Sequence, residues 1–390
     1  MIPVAEARAA LFDLVAPLPA EEVPLIEAAG RVLARPVSAR RDQPPFAASS
    51  MDGYAMKAAE VERDAMFKVI GEAAAGHAFV GRVGPGQAVR IFTGAPIPEG
   101  TDFVVIQEDV GRAGDLITIV ADPGNKTNIR PAGGDFTVGT TMSAPRILAP
   151  QDIALLASMN IPVVPVTRKP VVAILATGDE LVMPGETPGP DQIIASNSFG
   201  LKAMLEGLGA TARLLPIARD TLSSLRTAFE LAEGADLIVS IGGASVGDHD
   251  LVGQAAADMG MARSFYKVAM RPGKPLMAGK LNGAAMVGLP GNPVSAMVCG
   301  HIFLAPMIRA MLGLGTDLPP LRQIALSADL DRNGPREHYM RAVIEGGSLR
   351  AFDNQDSSLL TVLSQANALL VRPPNDPPLK AGAMVNYLPL

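Results

Sequence analysis

The alternation of strand-like and helix-like segments over residues 168–314 constrains the fold of this chain more than any other feature of its sequence. Short apolar runs, such as residues 171–175 and 237–241, are separated by segments in which apolar residues recur at helical spacing. Strands that alternate with helices in this way form a parallel sheet with helices on both faces. We therefore predict a central parallel α/β sheet domain over residues 169–316.

The remaining segments predict three further domains. Residues 42–133 alternate short β-type runs with turns that contain Gly and Pro, which indicates an inserted all-β domain. Residues 1–41, with helix-like segments at 3–18 and 25–33, and residues 134–168, with a helix that begins after proline, predict a mixed linker domain. Residues 317–390 return to β-type alternation and predict a C-terminal β-barrel-like domain. The predicted fold class is α/β plus β, multidomain.

Composition limits the possible classes of function. The 390 residues carry a formal net charge of -6, whereas a general nucleic-acid-binding protein shows a basic face. Cys299 is the single cysteine, which excludes an internal disulfide, favours a reducing cytoplasmic location and is typical of a core thiol. The N-terminal segment has amphipathic helical spacing and no apolar run reaches roughly 18 residues, so we expect neither a signal peptide nor a membrane span.

Polar residues follow several of the predicted strands. In sheets of this class, ligands bind beyond the carboxyl ends of the strands, where the strand order reverses. Five polar residues fall at predicted strand ends or in the turns just after them: Glu180, Asp220, Asp248, Asp250 and Ser295. We therefore expect a binding site at this edge of the sheet.

A glycine-rich loop follows the predicted strand 237–241 and contains Gly242, Gly243 and Gly247. Backbone amides in such a loop, at a helix start, suit a phosphate or another oxyanion. The basic segment that comes later contains Lys267, Arg271 and Lys274 and suits the same kind of ligand. Neither a Walker A pattern nor G-x-G-x-x-G occurs, which argues against ordinary nucleotide hydrolases and dinucleotide enzymes.

Carboxylates beside an anionic ligand repel it unless a divalent cation lies between them. Mg²⁺ held by one or two carboxylates and completed by phosphate oxygens of the substrate resolves this conflict, so the pattern predicts Mg²⁺. Taken singly, each aspartate is also compatible with a helix cap, and Lys267 with a surface lysine. Asp52, before Gly53, and Thr93, before Gly94, are each compatible with plain turn residues.

A serine hydrolase is an alternative interpretation of the same loop. Residues 243–247, Gly-Ala-Ser-Val-Gly, match the G-x-S-x-G nucleophile elbow, with Ser245 as the nucleophile. The acid and base would have to be Asp329 or Asp331 followed by His338. These residues lie in the C-terminal β segment rather than in the sheet that carries the elbow, which disfavours a hydrolase.

Six segments together resemble the MoeA-type molybdopterin molybdenumtransferases, and also the C-terminal domain of gephyrin. They are Ser-Met-Asp-Gly-Tyr-Ala at 50–55, Thr-Gly-Ala-Pro at 93–96, Thr-Gly-Asp-Glu-Leu at 177–181, Gly-Gly-Ala-Ser-Val-Gly-Asp at 242–248, Arg-Pro-Gly-Lys-Pro at 271–275 and Leu-Pro-Gly-Asn-Pro-Val-Ser at 289–295. The resemblance covers nearly the full length. It implies an enzyme that takes adenylylated molybdopterin and molybdate, inserts the metal and releases AMP with Mg²⁺ present.

The resemblance also implies roles for individual residues. The implied catalytic residues are Asp52, Thr93, Asp135, Glu180, Asp220, Asp250, Lys267 and Arg271, and Glu180, Asp220 and Asp250 are the implied Mg²⁺ ligands. The implied substrate-binding residues are Gly242, Gly243, Ser245, Asp248, Lys274, Pro275, Ser295, Arg341 and Ser357, of which Lys274, Ser295, Arg341 and Ser357 match positions suited to molybdate. Arg271 stands where the family often has lysine, and residues 354–357 depart from a more glycine-rich family form.

The family resemblance further implies an elongated homodimer, formed through the linker domain, whose site joins the α/β domain of one subunit to β modules of the other. Transient contacts with the molybdopterin adenylyltransferase and with receiving molybdoenzymes are also implied. Binding of nucleic acid or of a membrane is not expected. A non-catalytic scaffold of the gephyrin type is the remaining alternative.

Overall fold

The computed structural model describes residues 1–243, 251–318 and 320–390. The chain divides into two compact units. The first comprises Met1–Glu21, Gly30–Ala34 and Val166–Leu390, and the second comprises Glu22–Ala29 and Arg35–Pro165.

The first 167 residues form two helices and many short strands. The helices are α1 (Val4–Phe12) and α2 (Pro150–Ser158). The strands are β1 (Ala20–Pro24), β2 (Val32–Leu33), β3 (Val37–Ser38), β4 (Ala48–Ser49), β5 (Gly53–Met56), β6 (Met66–Ala73), β7 (Gln87–Ile91), β8 (Phe103–Ile106), β9 (Val110–Ala113), β10 (Leu116–Ile119), β11 (Ile129–Arg130), β12 (Thr141–Met142), β13 (Arg146–Ile147) and β14 (Val163–Thr167).

The second unit is built on a six-stranded sheet in the order β8-β5-β7-β6-β10-β9. Its pairs are antiparallel except for β6 and β7, which run parallel. Apolar side chains pack on both faces, with Tyr54 and Ile117 in one cluster and Ile91 and Val104 in the other. Strands β4 to β11 all fall in residues 42–133, where the sequence predicts short β-type runs.

Two predictions for the N-terminal segment were wrong. Residues 25–33 do not form a helix; they contain a 3-10 turn, Leu25–Glu27, followed by strand β2. Gly30 adopts a positive φ of 75°, which interrupts helical geometry. Helix α1 ends at Phe12 rather than at residue 18, because Pro17 and Pro19 remove backbone donors and disfavour the helical conformation of the residues before them.

Residues 168–316 contain the alternating elements that the sequence predicts. The strands are β15 (Val171–Ala176), β16 (Leu181–Val182), β17 (Ile193–Ile194), β18 (Thr211–Leu214), β19 (Leu237–Ile241), β20 (Ala262–Tyr266), β21 (Met270–Arg271), β22 (Met277–Leu281) and β23 (Ala284–Leu289). The helices are α3 (Asn197–Gly207), α4 (Leu222–Leu231), α5 (Leu251–Asp258), α6 (Pro293–Cys299) and α7 (Ala305–Met311).

The central sheet has the order β18-β15-β19-β23-β22-β20. The first four strands are parallel, as predicted, but β22 is antiparallel to β23 and β20 is antiparallel to β22. The predicted parallel sheet is therefore present in four of the six strands, but the prediction missed an antiparallel edge. Its cause is a two-residue hairpin at Asn282 and Gly283, whose φ values of 50° and 85° are those of a tight β-turn between antiparallel strands.

Both faces of this sheet are covered because successive side chains of each strand point to opposite sides. Val172 and Ile174 of β15 pack with α1, α3, α6 and α7, whereas Ala173 and Leu175 pack with α4 and α5. A π-turn, Gly300–Leu304, joins α6 to α7 into one continuous helix. By length and composition this helix could cross a membrane, but 78% of its apolar window is buried, which is typical of a core helix.

The C-terminal segment forms a small closed sheet. Its strands are β24 (Arg322–Ala325), β25 (Glu337–Glu345), β26 (Ser348–Ala351), β27 (Ala368–Arg372) and β28 (Met384–Pro389), and its helix is α8 (Leu360–Gln365). The order is β21-β25-β27-β28-β24, with β26 also paired to β25. A bridge between Leu326 and Leu349 joins the end of β24 to β26, so the sheet closes as the predicted barrel-like form would.

Candidate active site

The strand order of the α/β sheet reverses between β15 and β19. Strand β15 comes first in the chain, β18 lies on one side of it, and β19 and β23 lie on the other. At such a switch point, connections leave neighbouring strands toward opposite faces, and a crevice opens beyond their carboxyl ends. A cavity of about 890 Å³ occupies this position. Its floor includes Thr177, after β15, and Ile241, at the end of β19.

Backbone hydrogen bonds continue beyond the strands and fix the floor of the cavity. The N–H of Thr177 donates to the carbonyl oxygen of Ile241 at 3.0 Å. The N–H of Gly178 donates to the carbonyl oxygen of Ala218 at 3.1 Å. The loop after β15 is therefore held between the ends of two other segments of the sheet.

Arg219 strengthens the same connection with its side chain. Its Nη1 donates to the carbonyl oxygens of Asp179, at 3.0 Å, and of Leu181, at 3.2 Å. The backbone N–H of Asp220 in turn donates to Asp179 Oδ1 at 3.2 Å. These bonds bring Glu180 and Asp220 to one cavity although 40 positions separate them, as the sequence predicts from their places at strand ends.

The glycines after β19 allow two segments to approach closely. Gly242 and Gly243 have φ values of 92° and 65°. A Cβ at position 242 would lie 2.8 Å from the carbonyl oxygen of Thr177, and one at position 243 would lie 2.2 Å from Val252 Cγ2. Any other residue would therefore be strained and would clash. Without side chains, both residues present backbone to the cavity.

Glu180 and Asp220 give the cavity its negative charge. Both carboxylates are exposed, and neither accepts a hydrogen bond or forms an ion pair with a residue that the structure describes. None of the described lining residues is a Lys or an Arg. In the described part of the chain, no three His, Cys, Asp or Glu side chains are grouped closely enough to hold a metal. The cavity thus offers two free carboxylates as oxygen ligands.

Two helices begin at the opposite wall of the cavity. Asn197 starts α3, and its Nδ2 donates to the carbonyl oxygen of Gly291, just before α6, at 2.7 Å. Asn292 and Ser358 also line this wall. Free N–H groups at helix starts favour an anionic ligand. Asn197, Asn292 and Ser358 were not predicted as site residues, although Asn292 lies between a strand and a helix in Pro-Gly-Asn-Pro and so had the same positional signal as Glu180.

Arg341 is the most deeply buried of the predicted basic residues, at 1% exposure. Its Nη1 donates to the carbonyl oxygen of Asp356 at 2.6 Å, and its Nε and Nη2 donate to Gln355 Oε1 at 3.2 and 3.1 Å. Among the residues that the structure describes, no carboxylate forms an ion pair with it within 4.0 Å. Burial lowers the pKa of Arg341; Asp356 opposes this effect and Arg271 adds to it.

Arg271 belongs to the same basic group as Arg341. Strand β21 pairs with β25 so that Arg271 lies opposite His338. Burial first, and then the positive charges of Arg271, Arg341, Arg372 and Arg336, together lower the pKa of His338 to about 4. His338 is therefore neutral near pH 7, and the positive charge of this region comes from guanidinium groups.

The other predicted residues of the basic segment are Lys267, Lys274 and Pro275. Lys267 has a φ of 76°, and its Nζ lies 5.3 Å from the centroid of the Tyr266 ring. Lys274 is exposed, and its carbonyl oxygen accepts a hydrogen bond from the N–H of Val268 at 3.0 Å. Pro275 lines the cavity itself. The structure thus brings Pro275 to the cavity wall, whereas the two lysines are not among its lining residues.

Ser295 and Ser357 lie close to the start of α6. Ser295 is buried within that helix. Ser357 Oγ accepts a hydrogen bond from Asn292 Nδ2 at 3.1 Å, and its carbonyl oxygen accepts one from the N–H of Val294 at 3.0 Å. The segment around Ser357 therefore connects the C-terminal barrel to the wall of the cavity.

Asp52, Thr93 and Asp135 lie in the second unit. Asp52 Oδ1 accepts hydrogen bonds from the backbone N–H and from the hydroxyl of Thr93, each at 2.8 Å. These two bonds, and then the charge of Arg90, lower the pKa of Asp52. Asp135 is exposed, and its backbone N–H donates to the carbonyl oxygen of Gln43 at 2.9 Å. Asp52 and Thr93 thus form one polar group. This contact was not predicted, because the two residues are far apart in the sequence.

Comparison with known proteins decides the family. Three family models match successive segments: the MoeA N-terminal region (domain I and II) at residues 2–160, a probable molybdopterin binding domain at 173–310 and the MoeA C-terminal region (domain IV) at 323–390. The molybdopterin molybdenumtransferase of Nostoc sp. (strain PCC 7120) is 35% identical over 405 residues, which cover 97% of this chain and 92% of that protein. This chain belongs to the MoeA family.

Two further similar proteins support the assignment of this chain to the MoeA family. The molybdopterin molybdenumtransferase of Haemophilus influenzae is 37% identical over 317 residues, which cover 80% of this chain and 78% of that protein. The crystal structure of a molybdopterin biosynthesis MoeA protein from Pyrococcus horikosii superposes with a TM-score of 0.87 at 28% identity and covers 99% of this chain and 98% of that one. The resemblance stated from the sequence motifs is therefore confirmed. The chain is an enzyme of molybdenum cofactor biosynthesis, of the molybdopterin molybdenumtransferase type.

Three predicted residues of this MoeA-family site, Ser245, Asp248 and Asp250, lie outside the residues that the structure describes. The alternative hydrolase would use Asp329 or Asp331 as its acid and His338 as its base. Asp329 pairs with Lys380 at 2.7 Å and accepts the N–H of Ala381 at 2.9 Å. Its carboxylate is thus engaged away from His338, which lies among guanidinium groups. Among the described residues, no hydrogen bond joins either Asp329 or Asp331 to His338, so the oriented acid–histidine pair that a serine nucleophile needs is not formed.

Proposed function

We propose that this enzyme inserts molybdenum from molybdate into adenylylated molybdopterin and releases AMP in a reaction that depends on Mg²⁺. The observation that carries the proposal is the cavity of about 890 Å³ at the switch point of the α/β sheet. Its glycine backbone and helix starts suit phosphate groups, and its size suits a nucleotide-containing ligand. Attack of water on the phosphoanhydride bond would release AMP and leave a phosphate group on the pterin.

The charges of the cavity support a requirement for Mg²⁺. Glu180 and Asp220 would repel a pyrophosphate group if no cation neutralised them. Mg²⁺ takes oxygen ligands, commonly one or two carboxylates together with substrate phosphate oxygens. Two carboxylates without partners among the described residues fit this donor set. When bound, the ion would screen the phosphate charge and stabilise the charge that develops on the departing AMP.

The basic group supports molybdate as the second substrate. Arg341 is buried without an ion pair among the described residues, and a buried cation without an anion is unfavourable. Arg271 adds a second positive charge nearby. A dianionic oxyanion would satisfy both guanidinium groups through charge-assisted hydrogen bonds. We propose that Lys274, Ser295 and Ser357 complete this oxyanion site beside the cavity, and that Ser245, Asp248, Asp250 and Lys267 also serve the reaction.

We also propose four domains and a homodimer. The gaps between the three family models, at residues 161–172 and 311–322, support domain boundaries near 168 and 316. In the dimer, Asp52, Thr93 and Asp135 of one subunit would serve the site of its partner. The linker segments 1–41 and 134–168 would form the dimer interface. Sedimentation equilibrium tests the dimer: a mass of twice 40.5 kDa supports it, and 40.5 kDa at micromolar concentration contradicts it.

Two further parts of the proposal concern the cell. We propose that the enzyme works in the cytoplasm, receives its substrate from a molybdopterin adenylyltransferase through transient contact and passes its product to molybdoenzymes. The family membership supports these partners. Crosslinking of the enzyme to the adenylyltransferase during turnover tests the first contact, and its absence under conditions of fast turnover would contradict it.

Calorimetric titration with adenylylated molybdopterin tests the proposed substrate. We expect binding near one molecule per chain, strengthened by Mg²⁺. The Glu180→Gln and Asp220→Asn variants should lose most of the Mg²⁺ effect, whereas Asp191→Asn, an exposed carboxylate outside the cavity lining, should keep it. No binding by the wild-type enzyme would contradict the proposal and favour a scaffold that keeps only the fold.

A further inference from the structure

Gln355 makes an unusually complete set of hydrogen bonds with Arg341. Its Oε1 accepts from the backbone N–H of Arg341 at 3.0 Å, from Nε at 3.2 Å and from Nη2 at 3.1 Å. Its Nε2 donates to the carbonyl oxygens of Arg341, at 2.9 Å, and of Phe352, at 2.7 Å. One side-chain amide therefore binds both the backbone and the guanidinium of the buried arginine.

These contacts require an amide at position 355. The oxygen side must accept three N–H groups, and the nitrogen side must donate to two carbonyl oxygens. A carboxylate has no proton to donate, so it would face two carbonyl oxygens without a hydrogen bond. It would also neutralise the guanidinium, whereas an amide leaves the positive charge of Arg341 uncompensated.

The remaining charged groups around Arg341 do not provide this compensation. Asp356 attracts the guanidinium but forms no ion pair with it within 4.0 Å, and its Oδ1 accepts hydrogen bonds from the N–H and the hydroxyl of Ser358, at 2.8 and 2.6 Å. Arg271 is positive and lowers the pKa of Arg341, so it adds to the charge rather than compensating it. His338, also near Arg341, is neutral at pH 7 because of its burial and its positive neighbours. The guanidinium thus keeps an unpaired charge in a fixed orientation.

We propose that Gln355 is a positioning residue for the oxyanion: it holds the Arg341 guanidinium in place by a neutral contact, so that its charge remains available to molybdate. This inference rests on the proposed function, because it assigns molybdate to Arg341. The segment 355–358 also places Ser357 against Asn292 and Ser358 in the cavity lining, so the same turn connects the oxyanion group to the nucleotide cavity.

The KM for molybdate in the AMP-release reaction tests the proposal, with adenylylated molybdopterin and Mg²⁺ saturating. The variants are Gln355→Ala, which loses the contact but keeps the charge, and Gln355→Glu, which keeps an acceptor but cancels the charge. We expect the KM to rise about tenfold or more in Gln355→Glu and by a smaller factor in Gln355→Ala. The dissociation constant for adenylylated molybdopterin should change by less than about twofold, since neither change reaches the nucleotide. Gln323→Glu, at an exposed glutamine that donates to Asn386 on the same barrel, is the matched control and should leave both constants unchanged.

The inference would be overturned if the two Gln355 variants did not differ in their effect on the KM for molybdate as expected. If Gln355 were only structural, Gln355→Ala would be as harmful as Gln355→Glu, and the affinity for adenylylated molybdopterin would fall in parallel. An unchanged KM in both variants would also overturn it. If Gln355→Glu does not fold, Gln355→Ala decides: a raised KM with unchanged pterin affinity supports the proposal, and any other result overturns it.

Arg341→Met separates this inference from the proposed function. If Arg341→Met raises the KM for molybdate but the Gln355 variants do not, only the role of Gln355 is wrong. If Arg341→Met leaves the KM unchanged, the assignment of molybdate to the basic group is wrong as well.

Discussion

Single residues set the position of the charges in the cavity, and Gly178 shows how. Gly178 has a φ of 146°, and a Cβ there would lie 2.2 Å from Glu180 Oε2. The absence of a side chain at position 178 therefore allows the Glu180 carboxylate to lie over the backbone. The orientation of the Glu180 carboxylate toward the cavity therefore depends on Gly178 as well as on Glu180 itself.

Gly178→Ala should displace the Glu180 carboxylate and strain the backbone. We expect the free energy of unfolding to fall by about 1–3 kcal/mol and the Mg²⁺ dependence of activity to weaken. Denaturant unfolding and Mg²⁺ titrations of the initial rate measure the two effects. Gly185→Ala is the control, because Gly185 has a φ of 96° but a Cβ there would meet nothing within 4 Å. Equal loss of Mg²⁺ dependence in both variants would contradict the role given to Gly178.

Thr93 lowers the pKa of Asp52 through its backbone N–H first and its hydroxyl second. The lowered pKa keeps Asp52 ionised, and the stability that it contributes is present above the pKa of the unfolded chain and lost as the pH falls through the folded value. Thr93→Val removes the hydroxyl alone, so the pKa of Asp52 should rise only part of the way to its ordinary value. Carboxyl ¹³C NMR titration measures this shift. Asp329, whose pKa is lowered by Lys380, is the internal control. An unchanged pKa of Asp52 in Thr93→Val would refute the effect assigned to the Thr93 hydroxyl.

At the scale of elements, the sequence predicted most helices and parallel strands because their apolar periodicity is strong. Val172 and Ile174 are buried on one face of β15 and Ala173 and Leu175 on the other, which is the continuous apolar run of a covered strand. The antiparallel strands β20 and β22 were missed, although Asn282-Gly283 is a strong hairpin signal. Local patterns do not state which strands will be neighbours, and so they could not predict the contact between Asp52 and Thr93.

The start of the central sheet depends on one ion pair. Arg168 donates from Nη1 and Nη2 to both oxygens of Asp236, at 2.9 and 2.7 Å, and the N–H of Val171 donates to Asp236 Oδ2 at 2.7 Å. Because Asp236 precedes β19 and Val171 begins β15, these bonds hold the two strands in register at the end opposite the cavity.

Asp236→Ala should therefore lower the free energy of unfolding by about 2–3 kcal/mol, since it removes charge-assisted bonds from a partly buried position. The rate constant of AMP release per folded molecule should stay near that of the wild type. Asp258→Ala, which removes the more exposed pair between helices α4 and α5, should cost less than about 1 kcal/mol. Urea unfolding of both variants measures the difference, and equal losses would show that Asp236 has no special role.

For the molecule as a whole, the sequence motifs were enough to predict the family, and the strand-end rule was enough to place Glu180 and Asp220 together. Ser358 and Gln355 were not assigned because their roles come from the turn 355–358, which meets the start of α6 only in the folded chain. Asn292 was missed although its place between a strand and a helix is the same signal that identified Glu180. Three side chains from distant segments, Glu180, Asp220 and Arg341, thus carry the chemical proposal.

The most direct test measures AMP released from adenylylated molybdopterin while molybdate and Mg²⁺ are varied independently. We expect AMP to appear in an amount equal to the molybdenum inserted and its release to require both ions. Glu180→Gln and Asp220→Asn should slow the release by about 100-fold or more at saturating molybdate. Rapid AMP release without molybdate, or full activity of both carboxylate variants, would contradict it.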